Sequence, residues 1–241
     1  MSILKIFLRK GIGKKLPFLS KAYYKIISPL LVNLLNPIKI WRGGILYLPH
    51  NGIDYIPEVY EPEVIKLLET TLKKGDIFLD IGGGIGYFSI IASKLVGETG
   101  KVYAFEPDPF YTKFFKKNIQ VNACKNVTLI EKAVSDKNSN SILYRYQRTG
   151  QNRIAEVGEK TNNFCQIETI RIDDNYSGRV DLIKMDIEGA EILALEGMKN
   201  LLEKNPNVKM VIEESSELID YLKKNNYQIT KIDDRNLEVN K

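Results

Sequence analysis

The segment Asp80-Ile81-Gly82-Gly83-Gly84-Ile85-Gly86 constrains this chain more than any other. It follows the apolar run Ile77-Phe78-Leu79 and opens a stretch with apolar residues at Phe88, Ile90, Ile91 and Leu95. Strand, glycine turn and helix are the expected result. Glycine lets the main chain turn tightly and lets a ligand approach it, because no Cβ stands in the way. The helix behind the turn aims its unpaired N–H groups at the same space. A small cofactor at the carboxyl end of the first strand of an open α/β sheet is the arrangement such a segment serves.

The spacing narrows the cofactor. A dinucleotide fingerprint reads G-x-G-x-x-G, and that register fails: Tyr87 follows Gly82-x-Gly84 where a third glycine is required, and Ser89 follows Gly84-x-Gly86. The pattern is D-x-G-x-G-x-G, with Asp80 two residues ahead of the first spaced glycine. A second acid, Glu106, ends the next apolar strand, Lys101-Val102-Tyr103-Ala104-Phe105. An acid there can bind both ribose hydroxyls. Two acids around a glycine turn suit a nucleoside with a cationic head and would repel a pyrophosphate. S-adenosylmethionine meets that description. NAD and a turn with no ligand are the competing readings.

Strand and helix signals alternate along the body of the chain. Strands are expected at 76–80, 101–106, 127–131, 180–185 and 208–213, and helices at 61–72, 86–96, 108–121, 189–203 and 215–225. Such alternation implies a parallel sheet with helices on both faces. Two further strand signals, Tyr227–Ile232 and Leu237–Val239, predict a closing hairpin. Residues 135–178 break the rhythm with strand-like pieces at Ile142–Tyr146 and Ile167–Ile172 around a polar loop. An insertion of this kind is expected over the carboxyl ends of the sheet, where an acceptor would bind. Arg145, Arg148 and Arg153 within it are candidates for gripping an anionic substrate group. Before the body, residues 2–35 read as short helices, and Ile38–Trp41 and Ile45–Leu48 as a hairpin around Arg42-Gly43-Gly44. The organisation predicted is an N-terminal extension over residues 1–54 and a cofactor-binding domain over 55–241.

Four segments together, DIGGGIGYFSIIASKLVG, KVYAFEPDPF, NVTLIEKAVSD and DLIKMDIEGAEILALEGM, resemble successive motifs of the FkbM-type methyltransferases, a class I group that uses S-adenosylmethionine. The resemblance runs over roughly residues 55 to 235. Its most specific piece is Lys184-Met185-Asp186-Ile187-Glu188-Gly189-Ala190-Glu191, the family's K-x-D-x-E-G-x-E block. One departure is visible: Gly83 and Gly84 stand where the family more often has alanine and asparagine, which keeps the residues small and removes a polar contact. The resemblance implies a Rossmann-like α/β fold, a seven-stranded mostly parallel sheet with an antiparallel last strand. It implies O-methylation of a hydroxyl, often on a sugar, glycan or lipid-linked acceptor, without naming the acceptor.

The expected cofactor set is Asp80 toward the ammonium, Gly82, Gly84 and Gly86 under the methionine moiety, and Glu106 on the ribose, with Pro107 beside it. Ala133 and Val134 come after the third strand, where the family's adenine lies; a core role competes for both. Asp108 can cap the helix it precedes. Asp186 and Glu188, at the end of the fourth strand, face the transferred methyl in this fold and are the catalytic candidates, since a carboxylate there can accept or orient a hydroxyl proton. Glu191 is expected to cap its helix and Lys184 to form a structural ion pair. Glu213, ending the fifth strand with Glu214, is a candidate for the acceptor wall. The acids Asp173, Asp174, Asp186 and Glu188 could jointly hold a divalent cation, although a metal-free site is favoured.

Charge is unevenly placed. Nine cations and no acid precede Asp54, while 26 basic and 30 acidic residues follow within the overall +5. The early cations interleave with Ile3, Leu4, Ile6, Phe7, Leu8, Leu16, Phe18 and Leu19, so residues 1–36 could rest on an anionic membrane surface, each cation contributing about 1 kcal/mol near the leaflet. The alternative is a solvent-facing cap. The apolar run Ile26–Leu35 is too short to span a bilayer. The location expected is cytoplasmic, with peripheral contact at the inner membrane face. Cys124 and Cys165 lack partner motifs and fit a reducing compartment. His50 reads as a turn residue, with catalysis as the alternative. Two rival functions remain: a nucleic-acid N-methyltransferase, disfavoured because Asp186-Ile187-Glu188-Gly189 occupies the slot where amino-directed enzymes carry [DNS]-P-P-[YFW], and a non-enzymatic membrane protein with a vestigial cofactor pocket.

Overall fold

The computed structural model describes residues 36–49, 60–145 and 163–241, with the backbone of 153–154. The expected helices of 2–35, His50 and Arg148 lie outside these. The chain divides into two compact units, Met1–Tyr60 and Glu61–Lys241. In the first, β1 (Ile38–Ile40) and β2 (Gly44–Leu46) pair antiparallel around a short helical turn at Trp41–Gly43, the hairpin expected from Arg42-Gly43-Gly44. Arg42 and Gly43 both take positive φ there.

The second unit is built on β3 (Ile77–Ile81), β4 (Lys101–Phe105), β5 (Val127–Ile130), β10 (Leu182–Met185), β11 (Lys209–Glu213), β12 (Gln228–Lys231) and β13 (Asn236–Asn240). Their order across one seven-stranded sheet is β12-β13-β11-β10-β3-β4-β5. Pairing is parallel from β11 through β5, and β13 lies antiparallel to both neighbours. Helices α1 (Pro62–Thr71), α2 (Tyr87–Val96), α3 (Pro109–Val121), α4 (Glu191–Glu196), α5 (Lys199–Lys204) and α6 (Ser216–Lys224) alternate with the strands. The expected α/β architecture with an antiparallel last strand is thus present. The apolar stripe of α1 buries Val64, Ile65 and Leu68, each contributing about 1.5–3 kcal/mol relative to exposure. Among the described residues no helix is long and apolar enough to cross a membrane.

The central strands are covered on both faces, so they read as near-continuous apolar runs. Two polar residues interrupt them, Asp80 in β3 and Lys184 in β10, and the register sets these two side by side. From β3 the chain winds outward through β4 and β5, then returns to β10 and β11 on the other side. The topological switch point therefore falls between β3 and β10, where such sheets open a crevice at their carboxyl ends.

Two expectations change. The single helix expected over 189–203 is broken into α4 and α5. Gly197 lies so close to the Ser135 carbonyl that a Cβ would collide with it, and the Gly197 carbonyl accepts the Asp173 N–H at 3.0 Å. The Asp173 carboxylate then accepts the N–H groups of Asn200 (3.0 Å) and Leu201 (2.9 Å) and starts the second helix. The insertion forms its own sheet, ordered β6-β9-β7-β8, from β6 (Ala133–Val134), β7 (Ser139–Tyr144), β8 (Arg153–Ile154) and β9 (Phe164–Ile170).

Candidate functional site

The glycine turn is fixed from two sides. Gly82 and Gly83 donate to the Phe105 carbonyl at 2.9 and 3.0 Å, Gly84 donates to Glu106 Oε2 at 2.8 Å, and Gly86 donates to the Gly83 carbonyl at 2.8 Å. Gly82 has φ +86°, and a Cβ there would run into the Asp186 carbonyl. That close approach seats the turn after β3 directly against the end of β10. Gly86, at φ +90°, rests on the Phe115 ring and begins α2. Asn118 locks the turn by donating to the Ile85 carbonyl at 2.8 Å.

Asp80 is 1% exposed. Ser89 on α2 donates to its Oδ2 at 2.5 Å. Burial pushes its carboxyl above the usual range, opposed by the neighbouring Lys184 ammonium. In this state Asp80 joins β3 to α2 and has no open surface for an ammonium. Glu106 is also buried: Oε1 accepts the Asp108 N–H at 2.8 Å, while Oε2 accepts Gly84. Burial raises its pKa to about 8 against those two N–H bonds. Pro107 links Glu106 to Asp108, whose Oδ1 caps α3 by accepting the Phe110 N–H at 2.8 Å. Ala133 packs with Leu143 and Ile167 under the small sheet, and Val134 joins the main core.

Across the crevice, Asp186, Glu188 and Glu213 bring one carboxylate oxygen each to within 4.8 Å of one another, and all three are half-buried. Asp186 follows β10, and Glu213 ends the adjacent β11. Glu188 stands in a turn at φ +53°, followed by Gly189 at +102°. Glu191 folds back to accept the Ile187 N–H (3.3 Å) and the Gly189 N–H (3.0 Å), and so pins this turn as well as opening α4. Lys184, 2% exposed, donates to Asp186 Oδ2 at 3.2 Å and lies 4.6 Å over the Phe88 ring. Arg235, from the β12–β13 turn, donates through Nε and Nη2 to Glu213 Oε1 at 3.0 and 2.5 Å.

These contacts divide the protons. Burial would raise Asp186, but Lys184, a hydrogen bond from Glu213 and the Arg235 charge outweigh it and hold the group below its ordinary range. Burial and the Asp186 charge push Glu213 up to about 7 despite Arg235. Burial, then Glu213 and Asp186, push Glu188 to about 8. One ionised carboxylate beside two proton-accepting ones near neutral pH suits orientation and removal of a hydroxyl proton.

Several expected site residues fall elsewhere. Arg145 does not stand free to grip a substrate: its Nε and Nη2 donate to both oxygens of the buried Asp108 at 2.9 and 2.5 Å. Arg148 lies outside the described residues, and only the backbone of Arg153, in β8, is described. Asp173 and Asp174 do not join Asp186 and Glu188. They serve the start of α5, Arg171 and Asn138. Glu214 pairs with Lys231 at 3.2 Å. Cys124 is buried and Cys165 half-buried. Ser89, Asn118 and Arg235 do not stand out in the sequence. Ser89 alone carried a signal, a hydroxyl on the core-facing side of an apolar helix nine residues after Asp80.

The sheet order, the glycine turn at its switch point and the acids at neighbouring strand ends define a Rossmann-like, class I methyltransferase fold. Residues 80–229 match the family model described as the methyltransferase FkbM domain, and the chain belongs to that family. It is 42% identical over 71 residues to a probable cobalt-precorrin-6B C(15)-methyltransferase (decarboxylating) of Sulfolobus acidocaldarius, covering 30% of this chain and 37% of that protein. It is 41% identical over 99 residues to a protein-L-isoaspartate O-methyltransferase of Fervidobacterium nodosum, covering 40% and 49%. The chain thus spans half or less of the length of these two curated relatives. Among solved structures, methyltransferase FkbM from Methylobacillus flagellatus superposes with a TM-score of 0.51 at 17% identity, over 73% of this chain and 50% of that one.

S-adenosylmethionine is the cofactor of this class, and the residues present fit it. The N–H groups of Gly82, Gly83, Gly84 and Gly86 are engaged within the protein, whereas a diphosphate cradle needs such donors free.

Proposed function

We propose that this protein is an S-adenosylmethionine-dependent O-methyltransferase acting on a hydroxyl of a sugar, glycan or lipid-linked acceptor. The observation that carries the reading is the convergence of Asp186, Glu188 and Glu213 within 4.8 Å beside the turn that Gly82 seats against Asp186. When bound, the cofactor supplies a methyl group on a cationic sulfur. Glu106 would hold its ribose, and Gly82, Gly84 and Gly86 would border its methionine part. Asp186, kept ionised by Lys184, orients the acceptor hydroxyl. Glu188, with a pKa of about 8, takes the hydroxyl proton in its ionised form, because an alcohol oxygen is a poor nucleophile without a base. Arg235 holds Glu213 in place and limits the negative charge the acceptor meets.

Calorimetry with S-adenosylmethionine tests the cofactor half: saturable binding at submillimolar concentration is expected, and its absence removes the proposal. The acceptor is sought by incubating lipid and glycan extracts with a labelled methyl donor and finding the labelled species by mass spectrometry.

The basic, apolar segment 1–36 supports peripheral contact with an anionic membrane on the cytoplasmic side. The full chain should float with vesicles containing anionic lipid, and a variant lacking residues 1–36 should not. Equal recovery of both in the unfloated fraction would make the segment a cap.

A further inference from the structure

We infer that Arg145, contributed by the insertion sheet, is a positioning residue for the cofactor ribose, acting through Asp108 and Glu106. The inference rests on the cofactor reading above. Its basis is an unbroken chain of hydrogen bonds from the glycine turn to the insertion. Gly84 N–H donates to one oxygen of Glu106, and Asp108 N–H donates to the other, both at 2.8 Å. The Asp108 carboxylate is 1% exposed. It receives the Phe110 N–H on one oxygen, and the forked guanidinium of Arg145 spans both oxygens, with contacts of 2.5 to 3.1 Å.

Each link is of a strong type. Charge-assisted, bidentate arginine–carboxylate pairs fix orientation as well as supplying energy. Leaving a carboxylate this deeply buried without a partner is costly, so loss of Arg145 displaces it. The N–H that orients Glu106 belongs to the same residue whose side chain Arg145 holds. Pro107 and Pro109 flank that residue and stiffen its backbone, so a displaced Asp108 side chain is transmitted to its own N–H. Arg145 sits at the end of β7, just past Tyr144, and its N–H donates to the Asn163 carbonyl at 2.9 Å beside β9. The insertion is therefore latched to the β4 end of the sheet, the end where the ribose carboxylate lies, through a side chain that in the sequence is a candidate for gripping an anionic substrate group.

The test measures S-adenosylhomocysteine affinity by calorimetry, well below the unfolding temperature, for the wild type, Arg145→Ala, Arg145→Lys and Asp108→Asn. Arg145→Ala and Asp108→Asn should each weaken binding about 5- to 30-fold, about 1–2 kcal/mol by the tenfold-per-1.4 kcal/mol conversion, with Arg145→Lys recovering part of the loss. Two readouts separate positioning from mere stability. In a Glu106→Gln background Arg145→Ala should cause little further loss, since both changes act on one contact. A cofactor analogue lacking the ribose 2′- and 3′-hydroxyls should bind wild type and Arg145→Ala alike. Unchanged affinity in Arg145→Ala, or full additivity with Glu106→Gln, overturns the inference while leaving the cofactor reading intact. Failure of the wild type itself to bind overturns that reading instead. Should Arg145→Ala not fold, Asp108→Asn, which keeps the Asp108 N–H and the capping oxygen, decides the matter by the same criteria.

Discussion

Gly82→Ala should destabilise the folded domain by about 2–4 kcal/mol, the sum of a left-handed φ and an overpacked contact, and should lower S-adenosylmethionine affinity more than tenfold. The two costs have separate sources. At φ +86° any L side chain is strained, and the added methyl would also overlap the carbonyl of Asp186, a backbone atom at the end of β10 that cannot swing aside. Relief requires the turn to lift away from β10, which strains the Gly82 and Gly83 bonds to Phe105 and the Gly84 bond to Glu106. Gly189→Ala is the control: its φ of +102° is as unfavourable, but nothing lies within 4 Å of the new Cβ, so about 1–2 kcal/mol is expected. Denaturant midpoints and calorimetry on both variants measure the difference. Equal destabilisation in the two would mean that the approach of Gly82 to Asp186 is not a constraint on the fold.

That contact also marks where the sequence was sufficient and where it was not. The strand, turn and helix around Asp80 were legible because local chemistry dictates them: an apolar run, glycines where φ must be positive, then apolar residues at helical spacing. The same holds for the alternation that yields the parallel sheet and for the closing β12–β13 hairpin. Contacts between residues far apart in the chain were not legible. Asp173 reads as a possible metal ligand until the fold brings it to the N–H groups of Asn200 and Leu201, a contact that also divides the helix expected over 189–203. Arg145 reads as an anion grip until β7 carries it to Asp108, 37 residues away. Glu213 reads as acceptor wall, yet it shares a cluster with Asp186 and Glu188, because β11 lies beside β10 and Arg235 reaches in from the last turn. A charged side chain in sequence announces only that it will need a partner. Which partner it takes is settled by topology.

Glu188→Gln and Asp186→Asn should each lower methyl transfer about 10²- to 10⁴-fold, the range for losing a positioned acid–base group, with cofactor affinity within a few-fold of wild type. Their pH dependences should differ, and that difference assigns the roles. Glu188 accepts a proton only when ionised. Burial and the neighbouring Glu213 and Asp186 charges raise its pKa to about 8, so the wild-type rate should climb tenfold per unit below that value and level above it. Glu188→Gln should abolish this limb. Asp186→Asn removes one of the charges that raise Glu188, so its residual activity should show the limb at lower pH. Stability follows with its own sign. A carboxyl with a folded pKa above its ordinary 4.5 binds its proton more tightly in the folded state, so its contribution is present at low pH and is lost as pH rises from 4.5 toward 8. Glu188→Gln should therefore flatten the decline in unfolding temperature across that window. Were a rate limb to persist in Glu188→Gln with its midpoint near 7 rather than 8, the proton acceptor would be Glu213, whose pKa lies at about 7, and Glu188 would be left with shaping the turn.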